Sequence, residues 1–200
     1  VTGMDAAAWD ERYRDRPDPW GSEPAETIRQ RLAAVAPGRA VDLACGDGRH
    51  ARWLDRHGWT VTAVDHSGVA IDQARDKDTD GRIDWQVGDV TDWAPTGPVD
   101  LVLLSFLHLP IAQLRELIAA AAGWLAPGGR LVYLGHSIEN HHRGVGGPPD
   151  PAILPGISDL AAAADGLRVD ALEHVLRPQG DGTAVDILLD ASPWELPQHR

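Results

Sequence analysis

The chain predicts an α/β fold: a doubly wound sheet of seven strands, mostly parallel, with an antiparallel C-terminal hairpin and helices on both faces. Three observations carry this. Short apolar runs alternate with helix-like segments from about residue 39 to residue 135, the pattern of βαβ units. The run Val99-Asp-Leu-Val-Leu-Leu104 is almost wholly apolar, as a strand covered on both faces is. The last two strand-like runs, 167–176 and 183–190, have no long helical segment between them, so they pair as a hairpin.

The elements follow in order. Residues 5–14 and 24–36 read as helices, separated by Arg16-Pro-Asp-Pro-Trp20, which proline keeps extended. The first strand is 39–44. A helix over 49–57 has an apolar side of Ala51, Trp53 and Leu54, and the second strand is 59–64. Ser67 caps a helix running to about Asp76. Strands three and four are 83–87 and 99–104. The helix 111–125 repeats Leu114, Leu117, Ile118, Ala121 and Leu125 at helical spacing. Strand five is 130–135, and a long loop leads to a helix at 157–164 and the final two strands.

Two hundred residues predict one domain with a substantial core. Within it, 1–36 reads as a helical lid segment and 37–136 as the ligand-binding core. Residues 137–157 read as a substrate-side loop, and 158–200 as the C-terminal helix and strands. The formal charge of −12 argues against nucleic acid, which needs a basic surface, and against anionic membranes. Cys45 is the one cysteine, which fits a reducing compartment; it reads as a small buried hydrophobe. No apolar run is long enough to span a membrane. A cytoplasmic location is expected.

The site signal is the pairing of Val41-Asp-Leu-Ala-Cys-Gly-Asp-Gly48 with Asp65, which ends the second strand 19 positions after Gly46. Glycines let backbone approach a ligand closely. An acid at about this spacing meets ribose hydroxyls in βαβ nucleotide sites. An adenosine-type ligand is therefore expected at the C-terminal strand ends, where Cys45 to Gly48, Asp65, Asp89 and Ser105 to His108 converge. The third glycine of a dinucleotide fingerprint is missing, and Asp47 is ill placed for a pyrophosphate. An acid in this turn suits a cationic ligand, and S-adenosyl-L-methionine carries both a sulfonium and an ammonium.

These residues resemble the motifs of class I S-adenosylmethionine-dependent methyltransferases. Asp42-Leu-Ala-Cys-Gly-Asp-Gly-Arg49 resembles the first motif, Val64-Asp-His-Ser67 the second, and Gly88-Asp-Val90 the third. Leu125-Ala-Pro-Gly-Gly-Arg-Leu131 resembles the turn before the fifth strand. Within the superfamily, Trp9-Asp-Glu-Arg-Tyr13, Trp20-Gly-Ser-Glu-Pro24 and Gly48-Arg49 are similar to the small tellurite-resistance and thiopurine methyltransferase group, with His50 where that group has Asn. The resemblance implies a Rossmann-like core. It also implies cofactor contacts from Asp42, Ala44, Gly46, Gly48, His50, Asp65, His66, Asp89, Val90 and Ser105, under an N-terminal lid. Tyr13 and Trp20 either close over the cofactor or anchor the first helix on the core. Asp89 has a second reading as a simple turn residue.

Methyl transfer is an in-line displacement in which positioning carries much of the acceleration. A thiolate needs little acid–base help, whereas a hydroxyl or amine needs a base. His108, after strand four, and His136, at the end of strand five, are the candidate catalytic residues; each is otherwise a hydrogen-bonded, half-buried histidine. Asn140, His141, His142 and Arg143 would shape the acceptor pocket from a flexible loop. His-His pairs rarely chelate one ion with both rings, so no metal is expected. The reading is a monomeric or homodimeric methyltransferase acting on a small-molecule acceptor, either a thiol or chalcogen or a natural-product oxygen or nitrogen nucleophile. Three alternatives remain at this level: a non-methylating enzyme on the same cofactor, a non-catalytic cofactor-binding protein, and an NAD-dependent dehydrogenase.

Overall fold

The computed structural model describes residues 5–16 and 18–194. Seven strands form one sheet: β1 (Arg39–Leu43), β2 (Thr60–Asp65), β3 (Asp84–Val87), β4 (Val99–Ser105), β5 (Leu125–His136), β6 (Leu167–Gln179) and β7 (Gly182–Pro193). Their spatial order is β3-β2-β1-β4-β5-β7-β6. The first five pair in parallel, and β7 pairs antiparallel with both β5 and β6. The doubly wound sheet and its terminal hairpin are thus as the sequence predicts.

Among the described residues, seven α-helices cover or flank the sheet: α1 (Ala6–Asp15), α2 (Glu26–Leu32), α3 (Arg49–Arg56), α4 (Gly68–Lys77), α5 (Ile111–Ala122), α6 (Ile138–Arg143) and α7 (Ile157–Ala163), with a short 3-10 helix at Pro151–Ile153. Strand alternation divides the core in two. One face carries Ala63, Leu101, Leu103, Val132, Leu134 and Leu188 under Ile28 and Leu32 of α2, Trp53 and Leu54 of α3, and Ile71 of α4. The other carries Leu43, Val102, Leu104, Leu131, Tyr133 and Ile187 under Leu114 and Ile118 of α5 and Leu160 of α7. Each fully buried leucine here contributes roughly 1.5–3 kcal/mol of transfer free energy.

Several boundaries differ from the sequence reading. Helix α2 stops at Leu32, where Val35 N–H bonds to the Leu32 carbonyl in a turn; Pro37 then disfavours helix at the residue before it. Residues 18–21 form a turn closed by Gly21 N–H on the Asp18 carbonyl, not an extended segment; Pro17 lies outside the described residues. Strand β5 starts at Leu125, because Leu125 already pairs with Val99 before an irregularity restores register at Arg130. The C-terminal strands run to a two-residue turn, with Gln179 opposite Gly182 and Gly180 at φ 56°. A short turn with glycine at positive φ matches the twist of a hairpin.

Strands β1 and β4 are neighbours whose following connections leave in opposite directions, β1 towards β2 and β4 towards β5. This is the switch point of an open α/β sheet, the place where such sheets bind ligands in a crevice at their C-terminal strand ends.

Candidate active site

The chain leaves β1 through a tight turn. Ala44, Gly46 and Gly48 have φ of 56°, 56° and 82°, a region that glycine enters freely and alanine only with strain. Both glycines are also sterically required. A Cβ on Gly46 would lie 2.3 Å from the Tyr13 hydroxyl, and one on Gly48 would lie 2.2 Å from the Trp85 ring. Asp65 at the end of β2 locks this turn to the next one. Its carboxylate accepts Gly46 N–H at 2.8 Å and Ser67 N–H at 2.9 Å. Burial raises its pKa, and those two N–H groups partly oppose the rise.

Asp42 is wholly buried, and neither carboxylate oxygen has a hydrogen-bond partner among the described residues. Burial, reinforced by the nearby Asp65 charge, pushes its pKa to about 7. An orphaned buried carboxyl beside a glycine turn lacks a cation, and the ammonium of S-adenosylmethionine fits that need. Asp47 is different. The sequence reading gave its charge to the ligand, but the side chain turns to Lys77, whose Nζ lies 2.9 Å away. Lys77 also reaches Asp18 at 2.5 Å. The lone lysine of the chain therefore ties α4 to both the glycine turn and the N-terminal segment.

That segment is clipped on at several points. The Asp10 carboxylate accepts Ser67 Oγ–H at 2.6 Å and Val69 N–H at 3.2 Å, so α1 docks on the start of α4. Tyr13 is buried, with its carbonyl accepting from Gln73 at 2.9 Å. Its ring meets Trp9 and Trp20 at centroid distances of 6.1 and 5.8 Å. Trp20 is 44% exposed, with the Arg12 guanidinium over its ring at 5.3 Å. Its carbonyl accepts from Arg49. Tyr13 thus anchors the segment and also lies over Gly46. His50 is buried, and its Nε2 accepts Ala25 N–H at 3.1 Å. Burial keeps this ring neutral by lowering its pKa well below the usual value, and the ring braces the N-terminal segment.

His66 is half-buried beside Asp65; hydrogen bonds from Ser67 and Val69 hold Asp10 below the usual carboxylate range, and those from Thr91 do the same for Asp89. One Asp89 oxygen closes a turn on the N–H and hydroxyl of Thr91, and the side chain is exposed. Val90 is buried in the core beside it.

On the other side of the crevice, strand register assembles a polar cluster. His136 of β5 pairs directly with Asp186 of β7. Asp186 pairs with Val175 of β6, so Arg177, two residues on, shares that face. His136 Nδ1 lies 3.0 Å from Asp186 Oδ1, within ion-pair distance but off hydrogen-bond alignment. Arg177 donates to both Asp186 oxygens, at 2.7 and 3.3 Å. Burial alone would raise the Asp186 pKa; the His136 and Arg177 contacts outweigh it and lower the pKa. The His108 ring stacks on His136 at 5.6 Å, and Phe106 sits 5.5 Å from His136. Burial, then the neighbouring His136, depresses the His108 pKa to about 3. The Ser105 hydroxyl and His108 Nε2 are buried without partners among the described residues.

Asp186 and Arg177 escaped the sequence reading, which named Arg49 and Phe106 only within longer motifs and gave them no role. Asp186 had a signal: an acid inside the apolar run Val185-Asp-Ile-Leu-Leu189 must find a partner. The expected 137–157 loop is partly helical, because the Ser137 hydroxyl accepts Glu139 N–H and starts α6. His141, His142 and Arg143 are exposed on it. Asn140 is a structural clip, accepting Val185 N–H at 2.7 Å and donating to the Gly146 carbonyl at 2.8 Å. Among the described residues, no group of three metal-ligating side chains is placed to hold an ion. No helix there is long and apolar enough to cross a membrane.

The comparisons with known proteins agree with this geometry. Residues 40–129 match the methyltransferase domain family. The chain is 33% identical over 112 residues to a trans-aconitate 2-methyltransferase of Mycolicibacterium gilvum, covering 55% of this chain and 42% of that protein. It therefore spans under half the length of that relative. The N-methyltransferase NodS of Bradyrhizobium japonicum, in complex with S-adenosyl-L-homocysteine, superimposes with a TM-score of 0.76 at 19% identity, over 96% of this chain and 100% of that one. A structure described for conversion of a disulfide bond into a thioacetal group during echinomycin biosynthesis gives the same TM-score at 22% identity, over 96% and 93%. These likenesses support the broad family far more than the narrower tellurite-resistance and thiopurine group. Residues 40–129, which hold the glycine turn and Asp65, thus match the methyltransferase domain family, and the chain shares the fold of these solved structures.

Proposed function

We propose that the protein transfers a methyl group from S-adenosylmethionine to a small-molecule acceptor whose nucleophile is deprotonated by His136. The observation that carries this reading is the Asp65 carboxylate bridging Gly46 and Ser67 beside the switch point, at the same C-terminal strand ends as the His136–Asp186 pair. When bound, the cofactor supplies an electrophilic methyl carbon on a sulfonium. Asp65 would accept from the ribose hydroxyls and Asp42 would face the ammonium. The second Asp89 oxygen would accept from the adenine amino group, and Tyr13 and Trp20 would help to shield the site from water.

His136 takes the proton of the acceptor nucleophile, and Asp186 orients the ring and stabilises the imidazolium that forms. His108 is a poor base because burial holds it neutral; it positions the acceptor as a hydrogen-bonding group together with Ser105. A hydroxyl, amine or thiol nucleophile is compatible with this arrangement. The names of the relatives, which include methylation of trans-aconitate, support a small acceptor.

The test is release of S-adenosylhomocysteine from S-adenosylmethionine by the purified chain over a panel of small thiols, phenols and amines. Acceptor-dependent release that falls on His136→Gln substitution supports the reading. Release unaffected by that substitution refutes the base assignment, and no release with any acceptor class counts against methyl transfer.

A further inference from the structure

We infer that the acceptor carries a carboxylate, and that Arg49 and Arg177 hold it beside Phe106. This rests on the methyl-transfer reading above and adds the substrate class.

The chain has a formal charge of −12, yet two guanidinium groups lie against one aromatic ring. Both lie 5.6 Å from the centroid of the Phe106 ring. Arg49 comes from the start of α3 and Arg177 from β6, so the fold brings like charges together from distant elements. Such a pairing costs free energy unless an anion joins it.

Much of the donor capacity is unspent. A guanidinium has five N–H donors in a planar fork. Arg49 makes one side-chain hydrogen bond among the described residues, to the Trp20 carbonyl at 3.1 Å. Arg177 spends two on Asp186 and one on Gln179. Asp186 is hydrogen-bonded to Arg177, while Asp47 and Asp42 act on Arg49 without a hydrogen bond to it. The free donors of the Arg49 fork suit one monoanionic carboxylate, and a dianionic phosphate would be repelled more strongly by those acids.

Two further observations point to a ligand here. Phe106 holds φ 56°, strained for a bulky side chain. Its N–H is fastened to the Leu134 carbonyl at 2.6 Å, which fixes the ring beside both guanidiniums. The buried Ser105 hydroxyl and His108 Nε2 have no partner among the described residues, and an acceptor seated against the arginines would supply one. The carboxylate is the handle and not the nucleophile, since pairing with guanidinium withdraws its electron density. The reacting atom therefore lies a few bonds away, towards His136.

The experiment uses the full chain saturated with S-adenosylhomocysteine, whose binding is measured first. Salicylate, anthranilate and thiosalicylate are titrated against their amides, with phenyl phosphate as the dianionic probe. At least one acid should bind about ten-fold or more tightly than its amide. That preference should vanish in Arg49→Gln and weaken less in Arg177→Lys than in Arg177→Gln, with melting temperatures checking the fold of each. Equal binding of acids and amides, binding of none, a preference that survives Arg49→Gln, or tighter binding of phenyl phosphate overturns the inference while leaving the methyl-transfer reading standing. Failure to bind S-adenosylhomocysteine overturns that reading, and this inference with it.

Discussion

His136 and Asp186 face each other across the β5–β7 pair, with His136 Nδ1 3.0 Å from Asp186 Oδ1. The antiparallel hairpin at the sheet edge is what brings the carboxylate to the histidine. The last two strands thus bring a polar cluster to the same end of the sheet as the glycine turn of the parallel βα units.

Replacing Asp186 by Asn should leave His136 in place but remove the charge that stabilises its protonated form. With a hydroxyl or amine acceptor, kcat should fall by about 100-fold or more while KM changes little. His136→Gln combined with Asp186→Asn should be no worse than His136→Gln alone, because the two act as a unit. Initial rates across pH check this. Additive losses would separate the two residues.

Cofactor binding should release a proton near neutral pH. The Asp42 carboxyl has a pKa of about 7, so it is partly protonated there, and a cationic ammonium beside it would lower that value. Calorimetry with S-adenosylmethionine in two buffers of different ionisation enthalpy measures the proton directly. Asp42→Asn should abolish the release and weaken binding; proton uptake would contradict the placement.

His108 should make stability depend on pH in a predictable direction. Its folded pKa is about 3, below the unfolded value near 6.5. In that window the unfolded chain takes up the proton, so the contribution is present above about pH 6.5 and lost as pH falls towards 3. His50, also pushed down by burial, acts in the same sense. The raised Asp42 acts oppositely between about pH 4 and 7, so comparison with a variant is needed. Melting temperatures of His108→Gln should fall less than those of the parent between pH 6.5 and 4.5.

How much was legible in the sequence depended on whether contacts were local or distant. The glycine turn and Asp65 were readable because a strand, a turn and a second strand lie within 27 residues, 39 to 65, and each has a fixed period and chemistry. The parallel sheet followed from the same alternation, whereas its strand order came only with the structure. Asp186 and Arg177 were not readable, because their approach to His136 depends on hairpin register over a gap of about 40 to 50 residues. Asp47 was misread for a related reason: Lys77 lies 30 positions away, and only the packing of α4 brings it to the turn. The loop after β5 was read as irregular because its Pro and Gly content hid the short Ser137-capped helix.

The glycine turn should tolerate no side chain at position 48. Gly48→Ala places a Cβ 2.2 Å from Trp85 at φ 82°, so strain and overpacking together should cost at least about 2 kcal/mol. Urea denaturation checks it. An unchanged midpoint would show that the turn relaxes.

The N-terminal clip should control cofactor retention. Asp10→Ala removes the acceptor for both Ser67 Oγ–H and Val69 N–H. S-adenosylhomocysteine should then dissociate several-fold faster, with a small change in melting temperature. Stopped-flow displacement measures this, and an unchanged rate would make α1 a structural element only.

The most direct test of the central claim is calorimetric titration of the purified chain with S-adenosylhomocysteine, with NAD as the parallel titrant. Micromolar binding of S-adenosylhomocysteine alone is the predicted result. Binding of NAD instead, or of neither, would contradict the assignment of the crevice between Asp65 and His136 to a methyl donor.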